Sequence, residues 1–599
     1  MSLAIHLLGK PKIERDGVPL PPPRGRKTWA LLSYLLLCEQ PPPRSRVAAL
    51  LFSEARDPMG ALRWSLADLR RTLGAAEIAA GDPIDLNLPP DTAIDLALLT
   101  EPREGASFTH PDGELLEGIG FASSPLFESW LGVMRRHLDG AARALAHDEA
   151  LARIAAGDGA GATELATRLV SEDPLDQAGQ ELLIRCLART GRRQAAQHQL
   201  AECEALFRRE LGVPPGPELR SAAAETAPPA TVAVGDREVA LGLLEAGEAA
   251  LAAGTVEPGV QILRQACDEA AGGNDSPLQA QALAALGSAL VHAVRGRDEE
   301  GAVRLHEALQ RAESCGDRTT AATACRELGY IDVQAGRAPS ATRWLTRATG
   351  LASGNDELCA VLGVRGMALS DRAYYGAALE LLNKSVARAE RCGRRRQAAW
   401  SLSLIGRVHL LRGDLPLALP ALDESLALVV AERWTAFQPW PEALRAEASL
   451  LIGRPDQAAT RHDHAFRLAC RVGDPCWEAM GARLGGLLAA DSGDVESATV
   501  QFADALARAT RVSDAYQWVH AYALDSSAAN AVEAGTGGAA EIVDRLADLS
   551  ERCGLREFVV RAHAYRGRLG SPAAGESARL LAGEIDNPRL GALVGAVSA

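Results

Sequence analysis

A four-position pattern recurs eight times between residues 247 and 547, and no other feature of this 599-residue chain limits its fold as strongly. Each instance is a small residue, a Gly seven later, a small residue five after that, and another seven further on. The instances are Gly247/Gly254/Gly259/Ala266, Ala289/Gly296/Gly301/Ala308, Gly329/Gly336/Ala341/Ala348 and Gly366/Ala373/Ala378/Ser385, where Ala373 replaces the Gly. Then follow Gly406/Gly413/Ala418/Ser425, Ala446/Gly453/Ala458/Ala465, Gly486/Gly493/Ala498/Ala505 and Ala528/Gly535/Ala540/Ala547. The register steps by 42, 40, 37, 40, 40, 40 and 42 residues. Small residues at fixed offsets let two helices cross closely, and a Gly ends the first helix of each pair. Such a period builds a stack of helix pairs, similar to tetratricopeptide repeats with long helices. Residues 141–211 use the same grammar, as Ala150/Gly157/Ala162 and Gly191/Ala196/Cys203, with a turn spacing of 34.

The first hundred residues read differently. Residues 2–7 alternate as a strand. PPPRGRK leads into an apolar helix over Thr28–Cys38, and PPPRSR breaks it. Ser45 is placed to cap a second helix, RVAALLF. A third, GALRWSLADLRRTLG, carries Leu62, Leu66, Leu69 and Leu73 on one stripe and stops at Gly74. The segments PIDLNL and TAIDLALL then suggest a β-hairpin. Strands, three helices and a hairpin describe a winged helix-turn-helix. Charge agrees, since residues 1–74 hold twelve Lys/Arg against six Asp/Glu in a chain of net charge −14. A basic head on an acidic body predicts that the head alone meets a polyanion.

No run of about 18 apolar residues is present to span a membrane. The start lacks the basic and long apolar regions of a signal peptide. The eleven cysteines form no CxxC pair and read as small buried thiols in a reducing cytoplasm. The sequence holds no GxxxxGK[ST], nucleophile elbow or metal cluster, so neither a nucleotide cofactor nor catalysis is expected. His462 and His464 stand two apart on a helix and face different sides, which argues against a metal pair.

WALLSYLLL, SRVAALLF and ALRWSLADLRRTLG together resemble the winged helix of Streptomyces antibiotic regulatory proteins. LLEGIGFASSPLFESWLGVMRRHL, two repeats and RRELGVPPGPELR resemble the bacterial transcriptional activator domain that follows it there. The resemblance covers about residues 1–222 and departs from the usual pattern at Phe52, at Asp68 and in an acidic wing (Asp82, Asp85, Asp91, Asp95). It implies four segments: a winged helix at 1–100, an activator domain at 101–222, a linker at 223–239 and a repeat array at 240–599. The expected fold is mainly α, with a small α/β head and an all-α superhelix.

In a helix-turn-helix the outward face of the third helix enters the major groove. That face holds Trp64, Ala67, Asp68 and Arg71, flanked by Arg63 and Arg70. Arg71 suits a bidentate bond to guanine O6 and N7, and Trp64 suits sugar or a thymine methyl. Asp68 suits cytosine N4 or serves to repel phosphate. Arg63, Arg70, Arg44 and Arg46 suit phosphates, the last two beside a helix N-terminus. The resemblance to OmpR-type winged helices implies that the loop Ser53, Glu54, Ala55, Arg56 and Asp57 touches RNA polymerase, and that pairs of molecules occupy repeated half-sites. In the array, Trp434, Phe437, Trp440 and Trp518 mark either a sensor pocket for a ligand or protein partner, or large residues filling the core. The expected function is a DNA-binding activator whose array senses a signal; the alternative is a repeat scaffold whose winged helix meets protein.

Overall fold

The computed structural model describes residues 2–38, 40–74, 77–100, 113–225, 235–252, 254–273 and 275–595. The head runs β1 (Leu3–His6), β2 (Lys12–Arg15), β3 (Val18–Pro19), α1 (Arg26–Leu37), α2 (Arg44–Phe52), α3 (Pro58–Leu73), β4 (Ala79–Ala80), β5 (Asp85–Leu86), β6 (Ala93–Ile94) and α4 (Ala97–Thr100). Leu62, Leu66, Leu69 and Leu73 all lie in the head core, as their spacing predicts. Asp57 caps α3 by accepting from the Gly60 N–H at 2.8 Å, and Gly74 closes it at φ +73°.

Two local expectations fail. PIDLNL and TAIDLALL do not pair with each other. Asp85–Leu86 turns back on Ala79–Ala80, while Ala93–Ile94 joins β1 in parallel and completes a sheet of order β3-β2-β1-β6. Pro89 and Pro90 between them have no N–H to give a ladder. Asp95 then fixes β6 in place, its Oδ2 accepting from the N–H groups of Leu7 and Leu8 at 2.8 and 2.9 Å. Nor does Ser45 cap α2. It lies inside the helix, and the Arg44 N–H is met instead by Asp82 Oδ1 at 2.9 Å.

From Pro125 onward the described chain is almost wholly helical. In the array the small residues sit where the pattern requires them. A Cβ on Gly406 would stand 2.5 Å from Leu422, one on Gly366 2.6 Å from Leu382, and one on Gly486 2.5 Å from Phe502. Only a bare α-carbon admits those side chains from the partner helix. In the second repeat that contact is Gly287 against Leu305, not Ala289, because Val294 and Arg295 lengthen the turn between the helix Ser276–Ala293 and Gly296. Ala373, which replaces the turn Gly, still adopts φ +60°, so the array imposes the left-handed turn even on a residue that resists it. The expectation of buried thiols holds for five of the eleven; Cys38, Cys267, Cys392 and Cys476 are half-buried, and Cys315 and Cys470 are exposed. No helix among the described residues is long and apolar enough to cross a membrane.

The array curves back onto the head, and the 31-residue α5 (Pro125–Ala155) is the element it closes on. Leu126, Phe127, Leu131 and Leu138 of α5 belong to the head core, and Ala146, Ala150 and Leu151 to the array core. Asp148 accepts from the Trp344 Nε1–H at 3.0 Å and pairs with Arg343; Arg136 pairs with Glu551. A Cβ on Gly140 would stand 2.6 Å from the Arg552 carbonyl, so α5 and the array's far end touch backbone to backbone.

Candidate nucleic-acid interface

The leucine stripe buries one side of α3 and leaves Arg63, Trp64, Ala67 and Arg71 exposed on the other. Trp64 is 53% exposed, a large cost for a tryptophan without a partner. Its ring lies over Gly25, where a Cβ would stand 2.8 Å away. Glycine at 25 therefore lets the Arg24–Arg26 loop approach α3. Both arginines are exposed there, so the loop brings two further cations to the face. Sequence reasoning did not single them out, although the PPPRGRK cluster was the signal.

Asp68 corrects the sequence reading. It is 5% exposed and does not belong to the readable face. Its Oδ2 accepts from the Arg24 N–H at 2.9 Å and from Thr28 Oγ1 at 3.0 Å; its Oδ1 accepts from Arg71 at 2.7 Å. Burial by itself pushes the carboxyl up, but these hydrogen bonds from Arg71, Thr28 and the backbone hold it below its ordinary range. With both oxygens occupied it cannot take a cytosine amine; it braces Arg71 and ties the α1 entry loop to α3.

Three other predicted contacts are already engaged. Arg70 donates from Nε to the Ala79 carbonyl at 3.1 Å, so it fastens β4 rather than reaching a phosphate. Arg44 donates from Nε to the Gly81 carbonyl at 2.8 Å and thus holds the wing turn. Arg46 donates to Tyr34 Oη at 3.1 Å and to the Leu580 carbonyl at 3.3 Å, and pairs with Glu584. The end of the array therefore grips the N-terminal turn of α2. Arg63 remains the most open, 3.5 Å from Asp57 with both side chains largely exposed. Ser53, Glu54, Arg56 and Asp57 are exposed and Ala55 is half-buried. The wing turn is acidic, with Asp82 and Asp85 exposed.

The aromatic pocket is also corrected. Phe437, Trp440 and Trp518 are 5, 2 and 2% exposed, and Trp434 stacks on Phe437 at 4.4 Å. Trp440 reaches Trp518 edge-on at 6.1 Å, and Trp518 packs on Tyr522 and Phe558. They fill the core where successive helix pairs meet. His462 and His464 separate as their spacing implies, to the Gly481 carbonyl at 3.1 Å and Glu442 at 2.7 Å.

A winged-helix head, a helical connector and a repeat superhelix that folds back on them make up a multidomain architecture. Residues 112–226 match the family model described as the bacterial transcriptional activator domain, so the chain carries that domain over about a fifth of its length. The resemblance to Streptomyces antibiotic regulatory proteins stands on this segment. No curated protein matches the chain. Among solved structures it is similar to Mycobacterium tuberculosis EmbR in complex with a low-affinity phosphopeptide, at 22% identity over 37% of this chain and 64% of that one, TM-score 0.30. It is also similar to aspartyl phosphate phosphatase F from Bacillus subtilis, at 12% identity over 68% and 93%, TM-score 0.37. A signal-transduction ATPase with a tetratricopeptide repeat sensor from Pyrococcus horikoshii aligns at 13% identity over 60% and 54%, TM-score 0.38. At TM-scores below 0.5 these likenesses carry no functional weight.

Proposed function

We propose that the chain is a sequence-specific DNA-binding transcriptional activator, organised as a head (1–100), an activator domain (101–222), a linker (223–239) and a sensing array (240–599). The observation that carries this reading is the exposed stripe Arg63, Trp64, Ala67 and Arg71 on the helix that a winged helix-turn-helix lays in the major groove. Arg71 reads a guanine while Asp68 holds it, an arrangement that fixes the fork before DNA arrives. Arg63, Arg24 and Arg26 neutralise phosphates. The exposed Ser53–Asp57 loop meets RNA polymerase, and paired molecules occupy repeated half-sites.

Arg71→Ala is expected to weaken the preferred duplex by about 1–3 kcal/mol while leaving random duplex nearly unchanged. Arg63→Ala weakens both alike and lowers the salt slope by about one. Competition binding at several salt concentrations separates them, and an equal loss on both duplexes in Arg71→Ala counts against base readout. A second reading, in which the head meets protein instead, is favoured by the acidic wing turn. It predicts binding to the head that does not follow counterion release.

The grip on Arg46 adds a regulatory expectation. Glu584→Gln removes the anionic partner and returns the Arg46 cation to the N-terminus of α2. The variant should bind random duplex more tightly than the parent, with a steeper salt dependence. Unchanged affinity would mean that Arg46 plays no part in DNA contact.

A further inference from the structure

Asp514 lies in the turn at 510–516, between the helices Val495–Ala509 and Gln517–Ala534, and reaches 218 residues back along the chain to Gly296. Its Oδ2 accepts from the N–H groups of Gly296 and Arg297 at 2.6 and 3.1 Å, at the start of the helix Asp298–Cys315. The N-cap residue of that helix, Arg297, makes no side-chain cap of its own. A carboxylate from a distant repeat supplies it and meets the positive end of the helix dipole. Ser513 in the same turn donates to Glu181 Oε2 of the activator domain at 2.9 Å, and Arg295 donates to Asp474 at 2.8 Å. Here the turn that follows the seventh repeat closes on the second repeat and on the activator domain.

A second carboxyl stands in this contact, Asp298, hydrogen-bonded to Asp514. Asp298 Oδ1 and Asp514 Oδ1 are both shut off from solvent, and neither accepts from an N–H group or hydroxyl of the described residues. Ionised carboxylates only accept, so a bond between two of them needs one shared proton. The backbone donors favour the charge on Asp514, which leaves the proton on Asp298. Burial and then the Asp514 charge hold the Asp298 carboxyl well above its usual range; Arg295 and Arg337 pull the other way without reversing this. Burial raises Asp514 as well. The nearby cations already have partners. Arg295 is paired with Asp474, Arg337 with Asp332, Arg185 with Glu181 and His147 with Glu299, each at 2.8 Å. The other titratable neighbours, Glu218, Tyr330 and Cys476, carry no positive charge.

We propose that Asp298 and Asp514 form an acid–carboxylate latch, whose one shared proton is taken up when the turn at 510–516 closes on the second repeat and released when it opens. The latch does not depend on the DNA-binding function proposed above. In the open form both side chains meet water and are ionised above about pH 4. The closed form keeps one proton. Closure is therefore strongest in acid, and from about pH 4 up to the raised pKa of Asp298 the closed-to-open ratio falls about tenfold per pH unit. Beyond that point two negative charges face each other in a buried contact, and the hold of the distal repeats on the activator domain loosens.

The test is hydrogen exchange of the full-length protein, without DNA, across neutral pH, with protection corrected for the intrinsic exchange rate at each pH. In the parent, protection of the amides at 295–298 and 511–517 is expected to fall about tenfold per pH unit. Asp298→Asn offers Asp514 an amide N–H that does not titrate. It should remove most of that slope and leave the turn better protected than the parent at the alkaline end. Asp514→Asn keeps an acceptor for the Gly296 and Arg297 N–H groups, gives its own amide to Asp298, and should flatten the profile too. Parent-level protection of the helix Arg395–Arg412 shows that a variant is folded. Burial also raises Glu181 and Asp332, so the difference between parent and variants, rather than the parent slope alone, assigns the proton. A parent profile without slope, or an undiminished slope in either folded variant, would overturn the proposal.

Discussion

Asp68→Ala is expected to cost the head about 2–4 kcal/mol, although the residue lies on the helix that carries the DNA-reading stripe. The carboxylate receives hydrogen bonds from the Arg24 N–H, from Thr28 Oγ1 and from Arg71, and it is almost fully buried. Alanine leaves the Thr28 hydroxyl and the Arg24 N–H without that acceptor and frees Arg71 from its brace. The chain has several cooperative units, so one global midpoint is the wrong readout. Hydrogen exchange over residues 24–74 of the full-length protein is the right one, and protection there should fall by a factor of tens or more. Because the folded carboxyl titrates below its unfolded value, its contribution is present above about pH 4 and is lost as pH falls through the folded pKa. The variant and parent should therefore converge in acid. Unchanged protection at neutral pH would show that Asp68 is not a structural tie.

Arg407→Ala should be the most damaging single change in the array, at about 3–5 kcal/mol. Arg407 is completely buried. Its Nη1 donates to Tyr516 Oη at 2.8 Å, its Nη2 bonds Asp371 and Ser370, and its guanidinium lies 4.2 Å from the Trp518 ring centre. Tyr516 Oη in turn donates to Asp371 Oδ2 at 2.8 Å. Alanine opens a void beside Trp518 and leaves the Asp371 carboxyl buried without its cation. Hydrogen exchange over the helices that carry Asp371, Arg407 and Tyr516, measured in the full-length protein, checks the size of the loss. The double variant Arg407→Leu/Asp371→Leu should be less unstable than Arg407→Ala, since two apolar groups remove the stranded charge along with its partner. A double variant worse than the single would mean that packing, not charge, sets the cost.

These two residues also mark where the sequence is legible and where it is not. The stripe of Leu62, Leu66, Leu69 and Leu73 and the repeated Gly and Ala positions are local and periodic, so spacing reveals them. Asp68 sits on the same helix and resisted reading, because its partners Arg24 and Thr28 lie 44 and 40 residues away. A helical projection places it on the outer face; only the approach of the α1 entry loop covers it. Arg407, a cation inside the apolar run SLSLIGRVHLL, was a visible signal that something charged must be buried opposite, but not where Asp371 and Tyr516 stand. The clustered aromatics Trp434, Phe437 and Trp440 looked like a pocket because they are adjacent in sequence. Helix stacking turns them into the core, and an open cavity forms instead between elements up to about 550 residues apart in the chain. The closure of the array onto α5, through pairs such as Asp148–Arg343 and Arg46–Glu584, has no local signature at all.

The most direct measurement is the selection of bound duplexes from a random-sequence DNA pool by the full-length protein, with Arg71→Ala in parallel. A sequence-specific regulator enriches a short motif, with paired half-sites where two molecules bind together. Arg71→Ala then loses the motif while still retaining DNA at low salt. Glu584→Gln, with Arg46 released, should enrich the same motif from less protein. Failure of the parent and of Glu584→Gln alike to enrich any motif would contradict the account and make the head a protein-binding module.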